Sequence, residues 1–293
     1  MRIFVTGATG FVGAAIVHEL INAGHQVLGL TRSEEGARSL AAVGADVHRG
    51  DIEDLDSLRR GAGLADGVIH TAFNHDFSKL AANCEADRQV VEAMGSVLQG
   101  SDRPFIFTSV AMLGASAPGK LATEDTFNPE HRNPRKASEI VGVDLAQRGV
   151  RVLVVRLPQV HTPVKLGLVS YLIQLAREKG VSAYVDEGRN RWAAVHLSDA
   201  AHLYVLALEK GLAGGRYHAV AEEGIALRTI ADTIGRALNI PVKSIAAADA
   251  AAHFGWLGAF IGADMPASSA LTREQLAWEP TGPGLIDDLE QIR

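Results

Sequence analysis

An α/β architecture, a doubly wound parallel sheet with helices on both faces and a smaller C-terminal part, is predicted by three features of this sequence. Strand and helix patterns alternate from the N-terminus to about residue 155. The strands are near-continuous apolar runs, as in a sheet buried on both sides. A glycine-rich turn joins the first strand to the first helix.

Residues 2–6 (RIFVT) form a short β-rich run, and residues 12–23 place Val12, Ile16 and Leu20 on one helical face before Gly24 ends the helix. Residues 26–31 (QVLGLT) are a second strand, Ser33 caps a helix to about residue 42, and residues 45–48 (ADVH) are a third strand. A helix from about residue 54, a strand at 67–70, a long helix over 77–99 and a strand at 104–108 continue the alternation. A helix over 134–147 and the strand 151–155 complete it. Beyond Pro158 the pattern breaks into strands near 182–185 and 216–220 and helices near 165–179, 199–210 and 228–238, with an Ala-rich helix or loop at 245–252.

Composition narrows the function classes. The chain has 293 residues, 28 Lys+Arg against 34 Asp+Glu, and a formal net charge of −6, which argues against a nucleic-acid binder relying on a basic surface. Its 47% hydrophobic content suits a compact core. No apolar run reaches the roughly 18–20 residues that span a bilayer, so no membrane partner is expected. The N-terminal MRIFVTG reads as a strand and turn without signal-peptide features, and the lone Cys84 forms no intrachain disulfide. A reducing cytoplasm is the expected location. The eleven histidines are dispersed without metal-ligand spacing, so no metal is expected.

The sharpest local signal is TGATGFVG at residues 6–13. Gly7 can adopt the tight-turn backbone, Gly10 lets main chain approach a pyrophosphate, and Gly13 permits close helix–strand packing, while the helix N-terminus offers N–H groups to the anion. A dinucleotide is expected there, contacted also by Thr9, Phe11 and Val12. That is the expectation for a Rossmann-type sheet.

The GxxGxxG spacing resembles the short-chain dehydrogenase/reductase superfamily, and TGATGFVG its extended branch of epimerases, dehydratases and reductases. Gly50-Asp51-Ile52 resembles the family's acidic adenine-contacting turn, His70-Thr71-Ala72 its turn after the fourth strand, and Phe107-Thr108-Ser109 its catalytic-serine strand. Arg156-Leu157-Pro158-Gln159-Val160 is similar to the segment beside the nicotinamide, and Ala194-Val195-His196-Leu197-Ser198-Asp199-Ala200 to the VHxxDxA segment. The resemblance implies cofactor contacts from Asp51, Ile52, Thr71, Ala72, Phe73, Leu157, Pro158 and Val160. Residues 1–160 are then expected to form the dinucleotide-binding domain, with 198–215 packing back onto it, and 161–293 mainly the substrate-binding part. A homodimer through the helices at 77–99 and 134–147 follows by analogy with the family.

The second strand ends Thr31-Arg32-Ser33 with no carboxylate to meet a ribose 2′-hydroxyl. Arg32 offers a forked cation and Ser33 a hydroxyl, so NADP(H) is expected over NAD(H), which stays possible. In the family a Ser and a YxxxK pair reduce a carbonyl, and Ser109 occupies the Ser position. No tyrosine lies between Ser109 and Arg151. Aligning Glu139 with the family's helix glutamate puts His131 at the Tyr position and Arg135 at the Lys position.

Two readings stay open. Either His131 donates the proton while Arg135, or Lys136 one residue on, anchors the cofactor ribose and Arg135 supplies charge, or the tyrosine chemistry is gone and His131 is a loop residue. Ser109, His161 and Tyr184 are the other candidate donors. Val110, His161 and Trp192, with Ser109, are expected to line the substrate pocket.

The activity so implied is an NADP(H)-dependent oxidoreductase moving a hydride between nicotinamide and a carbonyl or alcohol of a small, fairly apolar molecule. The alternatives are a non-catalytic nicotinamide-binding redox sensor and a redox-neutral epimerase or dehydratase.

Overall fold

The computed structural model describes residues 1–292. Its centre is a seven-stranded parallel sheet formed by β1 (Arg2–Thr6), β2 (Gln26–Thr31), β3 (Asp46–Arg49), β4 (Gly67–His70), β5 (Pro104–Val110), β6 (Arg151–Leu157) and β10 (Arg216–His218). From one edge to the other the strands run β10-β6-β5-β4-β1-β2-β3. The order reverses between β1 and β4, which is where a doubly wound sheet opens a crevice at its strand ends.

The helices α1 (Phe11–Asn22), α2 (Glu34–Ala42), α3 (Leu55–Gly63), α4 (Leu80–Leu98), α5 (Lys136–Gln147), α6 (Val169–Lys179), α7 (Leu197–Lys210) and α8 (Leu227–Leu238) supply the layers. Ile16, Val17 and Leu20 of α1, Leu40 of α2 and Leu203, Tyr204 and Ala207 of α7 share one core with Ile3, Val5 and Ile106 of the sheet. Leu58 of α3, Val91 and Met94 of α4 and Leu145 of α5 cover the opposite face around Phe4, Phe105 and Phe107. The inner strands therefore meet apolar side chains above and below, which is why β1, β4, β5 and β6 are mainly apolar, whereas the edge strand β3 (DVHR) is polar and partly exposed.

Local chemistry fixes the helix starts. Ser33 Oγ accepts the Gly36 N–H at 3.0 Å ahead of α2, and Asp54 Oδ1 accepts the Ser57 N–H at 2.9 Å ahead of α3. The expected start of α5 at Pro134 moves to Lys136, because the Asn133 side chain accepts the Arg135 N–H at 2.9 Å and forms a turn there.

Three short strands went unread: β7 (Gln159–His161), β9 (Arg191–His196) and β11 (Glu222–Ala226), which form one sheet with β9 central. β7 has three residues, β9 carries two alanines, and β11 is polar with Gly224, so none shows a strand pattern in isolation. β8 (Ser182–Val185) pairs in parallel with β12 (Val242–Ile245), which ends where the stretch expected as a helix or loop begins. The short helices α9 (Ala250–Phe254), α10 (Gly258–Ile261) and α12 (Leu285–Leu289) close the C-terminal part over a third core around Trp192, Ile230 and Phe254, while α11 (Ala270–Leu276) puts Leu276 into the core beside α7. Among the described residues no helix is long and apolar enough to cross a membrane.

Candidate functional site

A cleft of about 890 Å³ lies over the C-terminal ends of β1, β2, β4, β5 and β6 and reaches under the C-terminal part. The glycine turn forms one wall. Gly7 has φ +69°, and a Cβ there would stand 2.6 Å from Thr71 Oγ1 and 2.7 Å from the Ala72 nitrogen. A Cβ on Gly13 would stand 2.0 Å from the Gly7 carbonyl oxygen. Gly10 is the N-cap of α1 and no side chain caps that end, so its first-turn N–H groups remain for an anion. These are the features a dinucleotide pyrophosphate needs, and the site fits one.

Gly7, Thr9, Gly10, Phe11, Val12 and Gly13 line this cleft together with Arg32, Ser33, Asp51 and Ile52. Thr71, Ala72, Phe73, Arg135, Leu157, Pro158 and Val160 also line it, as do Ser109, Val110 and Trp192. Asp51 is not a helix cap, since Asp54 holds that place; its Oδ1 accepts the Glu53 N–H at 3.1 Å and its Oδ2 lies 3.4 Å from Arg32 Nη1. The Arg32 side chain is 82% exposed.

Three expected residues fall elsewhere. His131 is not among the lining residues: Asn128 O accepts its backbone N–H, and its Nδ1 accepts the Asn133 N–H at 3.0 Å, so the ring closes its own loop. Burial, with Lys136 adding, lowers its pKa. The structure does not bring His131 together with Ser109 and Arg135 in the cleft. His161 is likewise displaced from the substrate wall. It is fully buried in β7, and its Nδ1–H donates to Asp288 Oδ2 at 2.7 Å, which ties α12 to the small sheet. Burial outweighs Asp288 and holds its pKa below the ordinary value. Tyr184 does not line the cleft either.

Ser109 and Arg135 are each held from behind by a buried carboxylate. The Ser109 hydroxyl donates to Glu139 Oε1 at 2.5 Å, and Glu139 is bound in turn by Arg156, with Nε at 2.9 Å and Nη2 at 2.7 Å. Arg156 Nη1 donates to Thr126 O and to His218 Nε2, whose ring gives its Nδ1 proton to Ser268 O at 2.8 Å. Burial first and Arg156 second push the His218 pKa down to about 3, so this imidazole is neutral and accepts.

Arg135 donates from Nη1 to Asp87 Oδ2 at 2.5 Å and from Nη2 to Thr108 O at 2.7 Å, with its guanidinium carbon 4.2 Å from the centroid of the Phe73 ring. Asp87 also accepts from Ser138 Oγ and from His70 Nε2, the latter at 3.0 Å, and His70 Nδ1 accepts from Thr6 Oγ1 at 2.6 Å. Burial raises the Asp87 carboxyl, but Arg135, His70 and Ser138 together hold it at about 2. A permanent cation is thereby fixed at the cleft wall with its charge balanced inside the protein.

Asp87 passed unread among the charges of a long helix. A signal was present: positions 84, 87, 91, 94 and 98 carry Cys, Asp, Val, Met and Leu, so Asp87 occupies a place on the apolar stripe of α4. His75 and Lys165 were also missed. The His75 ring lines the cleft with its pKa lowered mainly by desolvation and further by Lys165 and Arg135, against a Phe73 backbone hydrogen bond that raises it. Lys165 places its Nζ 5.0 Å from the Phe11 ring centroid.

Residues 3–220 match the family model described as the NAD dependent epimerase/dehydratase family. The chain is 50% identical over 290 residues to an uncharacterized protein of Schizosaccharomyces pombe, covering 99% of this chain and 98% of that one. It is 26% identical over 320 residues to a UDP-glucose 4-epimerase of Streptomyces lividans, covering 96% and 92%. Among solved structures, the dTDP-glucose 4,6-dehydratase DesIV of Streptomyces venezuelae, with NAD bound, superposes with a TM-score of 0.76 at 20% identity, covering 99% and 96%. With the glycine turn, the parallel sheet and the cleft in place, the chain belongs to the NAD dependent epimerase/dehydratase family of extended short-chain dehydrogenases/reductases.

Proposed function

We propose that this protein is an NADP(H)-dependent oxidoreductase acting on a carbonyl or alcohol carbon of a small, fairly apolar substrate. The observation that carries this reading is a single cleft with the glycine turn at one end and Ser109, Arg135 and mainly apolar side chains at the other. When bound, the cofactor supplies or accepts the hydride. Gly7, Gly10 and Gly13 hold its pyrophosphate, Asp51 and Ile52 its adenine, and Leu157, Pro158 and Val160 the nicotinamide side. Arg135 supplies fixed positive charge beside the reacting oxygen. Ser109 contributes its hydroxyl after rotating away from Glu139, because one hydroxyl proton cannot serve both acceptors.

The choice of NADP(H) rests on Arg32, an exposed guanidinium tethered only by the long contact to Asp51. Glu34, the nearest carboxylate along the chain, is paired with Arg49 at 2.5 Å. Replacing Arg32 by Ala is expected to weaken NADPH binding about tenfold and NADH binding less than about twofold, read by fluorescence titration. Equal losses would remove the 2′-phosphate assignment and leave NAD(H).

Catalysis is tested by following NADPH oxidation with a panel of aldehydes and ketones. Turnover is expected, with kcat lowered about 100-fold in Ser109→Ala. The absence of a tyrosine between Ser109 and Arg151 in the sequence favours one other reading, a nicotinamide-binding redox sensor. Tight NADPH binding with no oxidation of the cofactor by any carbonyl would support that reading.

A further inference from the structure

The outer half of the cleft is walled by aromatic rings brought from three distant segments. Phe73, His75 and Phe77 follow β4, Tyr171 comes from α6, and Phe260 from α10, and all five line the cleft. The rings form an unbroken chain. Phe73 meets His75 edge-on at 5.4 Å, and His75 meets Phe77 at 5.9 Å. Trp256 stacks on Phe77 at 4.8 Å with planes 10° apart and receives Tyr171 edge-on at 5.0 Å. Trp256 does not itself line the cleft; it joins the rings that do.

This wall begins at Arg135, whose guanidinium lies over Phe73, and ends at the rim, where Tyr171 and Trp256 are 39% and 40% exposed. Large aromatics left this open gain by covering their faces. Away from the glycine turn, the cations of the cleft do not suit a diphosphate carried by the substrate. Arg32 stands at the β2 end, Arg135 is committed to Asp87 and Thr108, and Lys165 alone among the described lining Lys and Arg residues has no ion-pair partner. Met112, Met265 and Leu168 complete the surroundings.

We infer that this wall selects uncharged, planar aromatic or conjugated carbonyl compounds, binding the ring against Phe77 and Tyr171 and turning the carbonyl inward toward Arg135 and Ser109. The inference rests on the carbonyl-reducing reading of the same cleft. Rings stack on rings through complementary edge and face charge, which a saturated skeleton of equal size cannot supply.

The test compares naphthalene-2-carbaldehyde with decahydronaphthalene-2-carbaldehyde as substrates, and the two corresponding alcohols as ligands of the NADPH-loaded protein, with which they cannot exchange hydride, by calorimetry. The aromatic member of each pair is expected to be favoured about tenfold, in kcat/KM and in Kd. Phe77→Leu and Tyr171→Leu keep apolar volume but remove the rings, and each should cut that preference to about threefold or less while NADPH affinity stays within about twofold. Equal binding of the aromatic and saturated alcohols, or a preference that survives both substitutions, would overturn the inference. Selective binding of the aromatic alcohol with no reduction of either aldehyde would leave the aromatic site standing and remove carbonyl reduction.

Discussion

Replacing Arg135 by Met is expected to lower the stability of the fold by about 3–5 kcal/mol, because it strands the Asp87 carboxylate in a site that is 5% exposed. Asp87 Oδ2 would keep only Ser138, and Oδ1 only His70. The double variant Asp87→Asn/Arg135→Met removes both charges and should recover more than half of that loss in a chemical denaturation cycle. If the two single losses simply add, the ion pair is not what anchors α4 to the start of α5. The pair also contributes to the acid dependence of stability. Its carboxyl titrates at about 2 in the folded chain against an ordinary 3.8. The unfolded state therefore binds more protons between about pH 4 and pH 2, and the stabilisation present above pH 4 is lost as pH falls through that window. Asp87→Asn should flatten this part of the acid unfolding curve.

Gly13→Val is expected to abolish cofactor binding, raising the NADPH dissociation constant more than about 100-fold. The obstacle is backbone: a Cβ at residue 13 would lie 2.0 Å from the Gly7 oxygen and 2.7 Å from its carbonyl carbon, and neither can swing away as a side chain would. The first turn of α1 must withdraw from β1, so its N–H groups leave the pyrophosphate position. Overpacking of this kind costs about 1–3 kcal/mol, which circular dichroism and a melting curve will register separately from the loss of binding. Retained NADPH affinity in a folded Gly13→Val protein would place the cofactor elsewhere.

What the sequence made legible is local. The strand, turn and helix at residues 2–22 and the Ser33 cap depend on neighbours in the chain, and they stand where the pattern puts them. The glycine turn, Arg32, Asp51, Thr71, Ser109, Arg135 and Pro158 line one cleft because each sits at the C-terminal end of a parallel strand or just beyond it, or, for Arg135, just before α5. Long-range pairings were not legible. His131 looked equivalent to a tyrosine by spacing, but the hydrogen bonds of the 128–133 loop turn it onto its own backbone. His161 looked like a pocket residue until α12 brought Asp288 against it. The aromatic wall joins Phe77 to Trp256 and Phe260, and no period or motif links positions so far apart.

In the proposed reaction Ser109 and Arg135 stand beside a nicotinamide that exchanges hydride with an organic carbonyl. The most direct measurement uses NADPH deuterated in turn on each face of the nicotinamide, incubated with the protein and aryl aldehydes, with the alcohol products read by mass spectrometry. Deuterium is expected in the product from one labelled face only, at the former carbonyl carbon, and the transfer rate should fall in Ser109→Ala. Tight binding of NADPH with no deuterium in any product would contradict the oxidoreductase reading and identify the cleft as a cofactor-sensing site.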